Sequence, residues 1–125
     1  MKIKTLIAAA LIYGTSAAAH ELTPTYVEFA PSYITGVHST KIKMWNRRQD
    51  VNYYEISVFD EEWNQVDFAA VDRLVKLNYL DKKVVEIYIR NSDVDKAHYI
   101  CTKSKILKGD AITSSITSRI CSKVR

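Results

Sequence analysis

Glycine, proline and cysteine are scarce in this chain: three, two and two among 125 residues. So little glycine and proline excludes a collagen-like or low-complexity chain. No glycine-rich stretch is present to cradle a phosphate, and no G-x-S-x-G surrounds any serine. Beyond residue 19 no apolar run approaches the ~20 residues that a membrane helix needs. Charges of both signs are interspersed, with no basic stripe for nucleic acid and no basic amphipathic helix for a membrane surface. Paired catalytic acids need opposed positions across a cleft. The one carboxylate cluster, Asp60-Glu61-Glu62, lies in a turn pattern and reads as solvated surface. The chain therefore reads as non-enzymatic.

What is present points to export. Lys2 and Lys4 precede a short apolar run, and small residues end in Ala17-Ala18-Ala19. This is the pattern of a signal peptide over residues 1–19, cut before His20. The remaining 20–125 reads as one domain in a bacterial periplasm or outside the cell. The cut removes two lysines and no acid, leaving 16 basic and 14 acidic residues, net +2. An even cysteine count in a small exported domain reads as a disulfide, Cys101 to Cys121. Closing that loop of about 20 residues would stabilise the fold by roughly 3 kcal/mol in the chain-entropy model. Two free thiols are the alternative.

Eight tyrosines, with many Val, Ile and Thr, favour strands. Period-2 alternation recurs between polar turns, and no convincing helix is found. Tyr26–Ser32 reads as a first strand, with Pro31 marking an edge or bend. Lys41–Asn46 turns Ile42 and Met44 one way, and Tyr53–Phe59 turns Tyr54, Ile56 and Val58 one way. A short strand over Val66–Phe68 and another over Leu74–Asn78 follow. Val84–Arg90 points Val85, Ile87 and Ile89 inward, and Asn91–Asp95 is a polar turn. His98–Lys105 is a strand, and Ile112–Val124 closes the domain with Ile112, Ile116 and Ile120 on one face. About seven short strands in about 100 residues predict an all-β fold, an immunoglobulin-like antiparallel β-sandwich. A small barrel is the alternative. Trp45 and Trp63 read as core or sheet-edge packing, though an exposed pair would mark an interface, and Arg47-Arg48 reads as a soluble turn that could greet an acidic partner.

Two resemblances follow from these pieces. Asp95–Cys101, D-K-A-H-Y-I-C, resembles the F strand of immunoglobulin domains, which would make Tyr99 a tyrosine corner. Pro31, KIKMWN, YYEISVFDEEW and VEIYIR together resemble the N-terminal domain of periplasmic pilus-assembly chaperones, the PapD-like fold. That resemblance implies a protein partner in the cell envelope and a chaperone-like role. One branch of the family also has a disulfide between its last two strands. It implies, too, that Arg119 in TSRICSK is the basic residue that holds a partner's C-terminal carboxylate. The first strand carries Ser32 and Tyr33 where that family has a second arginine. Lys123, Ile112, Ile116 and Ile120 complete the expected partner-binding strand. Strand-edge pairing is the expected mechanism, with Tyr26–Ser32 and Ile112–Val124 as the edges.

Two other functions fit the residues. Cleavage before His20 would leave a terminal histidine, whose amine and ring nitrogen can grip copper. His98 or His38 would be the second ligand, in a plan similar to that of small periplasmic copper carriers. The bland alternative is that His20 is simply what the peptidase leaves. The chain is also similar to short exported proteins of marine bacteria and their phages, which adds a virion or cell-surface structural role.

Overall fold

The computed structural model describes residues 19–105 and 117–125. Nine strands are formed among them: β1 (Glu21–Thr23), β2 (Tyr26–Val27), β3 (Ala30–Pro31), β4 (Val37–Trp45), β5 (Tyr53–Phe59), β6 (Leu74–Lys76), β7 (Lys82–Arg90), β8 (Tyr99–Lys105) and β9 (Arg119–Val124). Two packed sheets result, as the alternation predicts. In the first, β4 carries β7 on one side and both β1 and β3 on the other. The second runs β2-β9-β8-β5-β6.

The inward faces follow period 2. Ile42 and Met44 of β4, Tyr54, Ile56 and Val58 of β5, Val85, Ile87 and Ile89 of β7 and Ile100 of β8 are all buried in one core. Ile120 of β9 packs against it. Ile112 and Ile116 lie outside the described residues.

Four elements differ from the sequence-based expectation. The expected first strand, Tyr26–Ser32, is two short pieces, β2 and β3, and an additional strand β1 precedes it. Pro24 and Pro31 lack N–H donors, and a proline interrupts a ladder. Across Pro24 the chain leaves β4 and joins the other sheet, where β2 runs parallel, not antiparallel, to β9. Ser122 donates its hydroxyl to the Pro24 carbonyl at 2.6 Å and holds this crossing. Second, Val66–Phe68 forms no strand. Only single bridges, Phe59 with Gln65 and Ala69 with Tyr88, mark this segment. Third, β6 stops at Lys76. Fourth, Asn91–Lys96 is a 3-10 helix rather than a plain turn. Asp93 pairs with Arg90 at 3.0 Å and with Lys96 at 3.6 Å, both three residues away. That spacing brings side chains together in a 3-10 turn.

Candidate interaction surface

The outward residues of the second sheet line up in rows. Phe59, Tyr99 and Lys123 stand opposite one another across β5, β8 and β9. Ser57, Cys101 and Cys121 form the next row, and Glu55, Lys103 and Arg119 the one after. Tyr26 of β2 extends the first row beside Lys123. The register therefore sets Cys101 against Cys121, and the two form a disulfide with their Cα atoms 4.0 Å apart.

The Asp60–Gln65 turn folds over this face. The Asp60 carboxylate accepts the backbone N–H of Glu62 at 2.9 Å and of Asn64 at 2.8 Å. These bonds, with Trp63 N–H to the Asp60 carbonyl at 3.1 Å, hold Trp63 at φ +66°. That is left-handed backbone, which costs a non-glycine residue of order 1 kcal/mol and persists only where its surroundings impose it. The indole lies flat on the Tyr99 ring, 4.2 Å between centroids and 5° between planes. It is still 45% exposed.

Arg119 completes the cluster. Its guanidinium sits 5.0 Å from the Trp63 ring centre and 5.8 Å from that of Phe59. Phe59 belongs to the first row and Trp63 lies over that row, so the side chain crosses above the disulfide row to reach them. Cys101 is accordingly buried. Among the described residues no carboxylate lies within ion-pair distance of Arg119. At the far end of the first row the Arg125 guanidinium covers Tyr26 at 5.0 Å. The face combines four aromatic rings with Arg119, Lys123 and Arg125.

This arrangement accounts for most of the residues named from the sequence. Arg119 and Lys123 are on the face, while Ile120 points to the core. Tyr99 makes no tyrosine corner: its ring faces outward under Trp63, because Ile100 takes the inward position. Trp63 and Phe59 were missed as site residues. Their signals were the DEEW turn and the tryptophan itself, whose exposure the sequence does not give, and the turn's direction over the sheet is not encoded in spacing. The two strand edges expected to be open, Tyr26–Ser32 and Ile112–Val124, instead pair with each other through β2 and β9. Arg47 and Arg48 do not await a partner. Arg47 pairs with Glu21 at 3.0 Å, and the nearly buried Arg48 pairs with Asp50 at 2.6 Å.

His20 lies at the opposite end of the sandwich from His98. Its ring is 2% exposed and rests 4.4 Å from the Tyr54 ring. Nε2 lies 3.2 Å from the Thr102 carbonyl, which can only accept, so Nε2 carries the proton. It also lies 2.7 Å from the Thr102 hydroxyl. Nδ1 then accepts from the Ser118 hydroxyl at 3.1 Å. His98, four residues from Thr102 along the chain, is about 13 Å away at strand rise. It sits 3.9 Å from Glu61, and His38 is hydrogen-bonded to Asn91 in the other sheet. A shared copper site for His20 with either histidine would require the N-terminal segment to leave the sandwich.

Burial lowers the His20 pKa to about 4. The hydrogen bond to the Thr102 backbone opposes this, and the nearby Arg48 charge adds to it. In the unfolded chain the ring protonates near 6.5. This contribution to stability is thus complete above pH 6.5 and is lost as pH falls towards 4. Allowing for solvent at the sandwich end, the loss is about 2 kcal/mol. Urea unfolding at pH 7 and pH 4.5 should show it, and His20→Gln should show a shallower pH dependence. Equal slopes for the two proteins would remove His20 as the cause.

No protein-family model and no curated protein sequence matches the chain. Among solved structures it is similar to the ASH/PapD-like domain 7 of human CEP192, with 9% identity and a TM-score of 0.54. The match covers 84% of this chain and 81% of that one. The fold is thus an immunoglobulin-like sandwich of PapD type, as KIKMWN, YYEISVFDEEW and VEIYIR suggested.

Proposed function

We propose that the chain is an exported, non-enzymatic interaction module that holds a protein partner in the cell envelope, in a chaperone-like or assembly role. The outer face of the second sheet is the binding surface. The observation that carries this reading is Trp63: an exposed indole fixed in left-handed backbone, stacked on Tyr99 and covered by an arginine with no carboxylate among the described residues. Strained backbone concentrates at functional positions. Trp, Tyr and Arg dominate the energetics of protein interfaces. The partner chemistry that fits is a carboxylate placed on Arg119 beside an apolar side chain on the rings. The PapD-type fold supports a role in protein interaction, since sandwiches of this kind present broad, rigid faces.

A photo-crosslinking residue at Glu62, in the same turn, should trap a protein in cells that export the chain. The same residue at Lys41, on the other sheet, should not. Trp63→Gly removes the ring at a backbone angle glycine adopts freely. Trp63→Gly or Arg119→Ala should each weaken capture by roughly 30-fold, the effect of losing a hot spot worth about 2 kcal/mol. Equal trapping from both faces, or capture unchanged in both variants, would overturn the assignment.

A further inference from the structure

β7 is a long open edge of the first sheet, which the expectation of pairing at the first and last strands passed over. One side of β7 pairs with β4 along its whole length. On the other side Tyr88 exchanges two backbone hydrogen bonds with Ala69, at 2.9 and 2.8 Å. Strand residues alternate in direction, so the next outward-facing backbone groups belong to Glu86, Val84 and Lys82. Among the described residues no backbone group bonds to them. The segment that begins to cover β7 at Ala69 departs for the second sheet, where the Arg73 carbonyl already accepts the Ile56 N–H at 2.8 Å. A recess of about 170 Å³ remains along this edge, lined by Val71, Asp72, Lys83, Val84, Val85 and Glu86. Val84 is 57% exposed and Val71 93% exposed beside it.

We propose that a second copy of this chain pairs at the β7 edge, antiparallel, about a two-fold axis at Val84. Two copies of the first sheet would join into one continuous sheet. The register follows from the residues. An isologous contact must be complementary to itself. An axis at Val84 sets Val84 against Val84, and Lys82 against Glu86 twice. All three are outward-bonding residues, so each N–H and C=O of one copy meets its counterpart in the other. Their side chains point away from the core, opposite to Val85, Ile87 and Ile89, so the two ion pairs lie on the solvent face. An axis at Lys82 or Glu86 would instead set like charges against each other, which destabilises a ladder. Axes at Lys83 and Val85 keep hydrogen-bond parity too, but the first sets Lys83 against Lys83, and the second sets Lys82 against Tyr88, whose outward groups Ala69 already takes. Lys82 also covers the Trp45 ring at 4.6 Å, and the Glu86 carboxylate lies near enough to the Tyr88 hydroxyl to raise its pKa. Both side chains stay on the outer face, in reach of a paired strand.

This contact uses no residue of the Trp63 surface, so it stands or falls separately from partner capture there. Sedimentation equilibrium of the purified, disulfide-bonded chain between about 5 and 500 μM tests it. The small interface predicts a monomer–dimer equilibrium with a dissociation constant on the order of 10–100 μM, weakened by salt. Lys82→Glu and Glu86→Lys each turn two attractive pairs into repulsive ones, so each should weaken the dimer at least ~10-fold. The double variant Lys82→Glu/Glu86→Lys restores opposite charges and should return the constant to within about threefold of the parent. Melting temperatures report whether the single variants stay folded. A parent that stays monomeric throughout, as expected if the edge takes a foreign strand, would overturn the proposal. So would a dimer indifferent to the single reversals, or a double variant no tighter than the singles.

Discussion

Asn46→Ala is expected to cost about 4 kcal/mol, more than most single core truncations of similar size. Asn46 is fully buried, and its side chain makes four hydrogen bonds. The amide donates to the Val51 carbonyl at 2.7 Å and the Leu77 carbonyl at 2.8 Å. Its oxygen accepts the Arg48 N–H at 2.9 Å and the Tyr54 hydroxyl at 2.5 Å. Its backbone is bonded too, to the Asp81 carbonyl at 3.0 Å and the Leu80 N–H at 2.7 Å. One residue thus joins the end of β4, the start of β5 and the turn between β6 and β7. Alanine would leave two carbonyls, one N–H and one hydroxyl without partners where water does not reach. Each such group costs about 1–3 kcal/mol, and relaxation recovers part of the sum. Tyr54→Phe removes a single bond and should cost about 1 kcal/mol. Urea unfolding of both variants at pH 7 tests the account. A loss below about 1 kcal/mol for Asn46→Ala would mean that the network is not tied together through this side chain.

Removing the disulfide is the second large effect. The bond joins directly opposed residues of β8 and β9 across a sequence separation of 20. It constrains the unfolded chain by roughly 3 kcal/mol. Cys101→Ser/Cys121→Ser should therefore lower the melting temperature by about 12 °C for a domain of this size. The bond lies beneath the path of Arg119, and Cys101 is 1% exposed. Attack on the Cys101 sulfur needs that cover to open, while Cys121 is only partly buried. Arg119→Ala and Trp63→Gly should each speed reduction by dithiothreitol while changing the melting temperature of the oxidised protein little. If reduction is as slow in both variants as in the parent, the cluster does not shield the bond. If the double serine variant melts with the parent, β8 and β9 are held by the ladder and core alone.

These two results separate what could be read in advance from what could not. Cys101 and Cys121 were a pair because the chain has no other cysteine. Asn46 was readable only as the first residue of a turn, since asparagine at the end of an alternating strand most often starts one. Its burial depends on Leu77, 31 residues away. His20 could be recognised as a residue near an expected cleavage site. That its ring packs inside depends on Thr102 and Ser118, 82 and 98 residues away. Arg119 was singled out by resemblance. The structure sets it on Trp63 and Phe59, whose part in the face was not visible from the D-x-x-W turn alone.

The sequence by itself determined the inward faces of β4, β5, β7 and β8. Alternation is a property of near neighbours, and one-residue slips would expose Tyr54, Ile56, Val58, Ile87 and Ile89 together. It also determined the all-β class and the cysteine pairing. Only the tertiary structure decided which sheet each N-terminal piece joins, because Pro24 breaks a ladder without saying where the chain goes next. Only the tertiary structure decided that β2 covers β9 while β7 stays open. Which edge remains free depends on where the segment after Ala69 turns, and that segment pairs with whichever strand the packed core brings within reach.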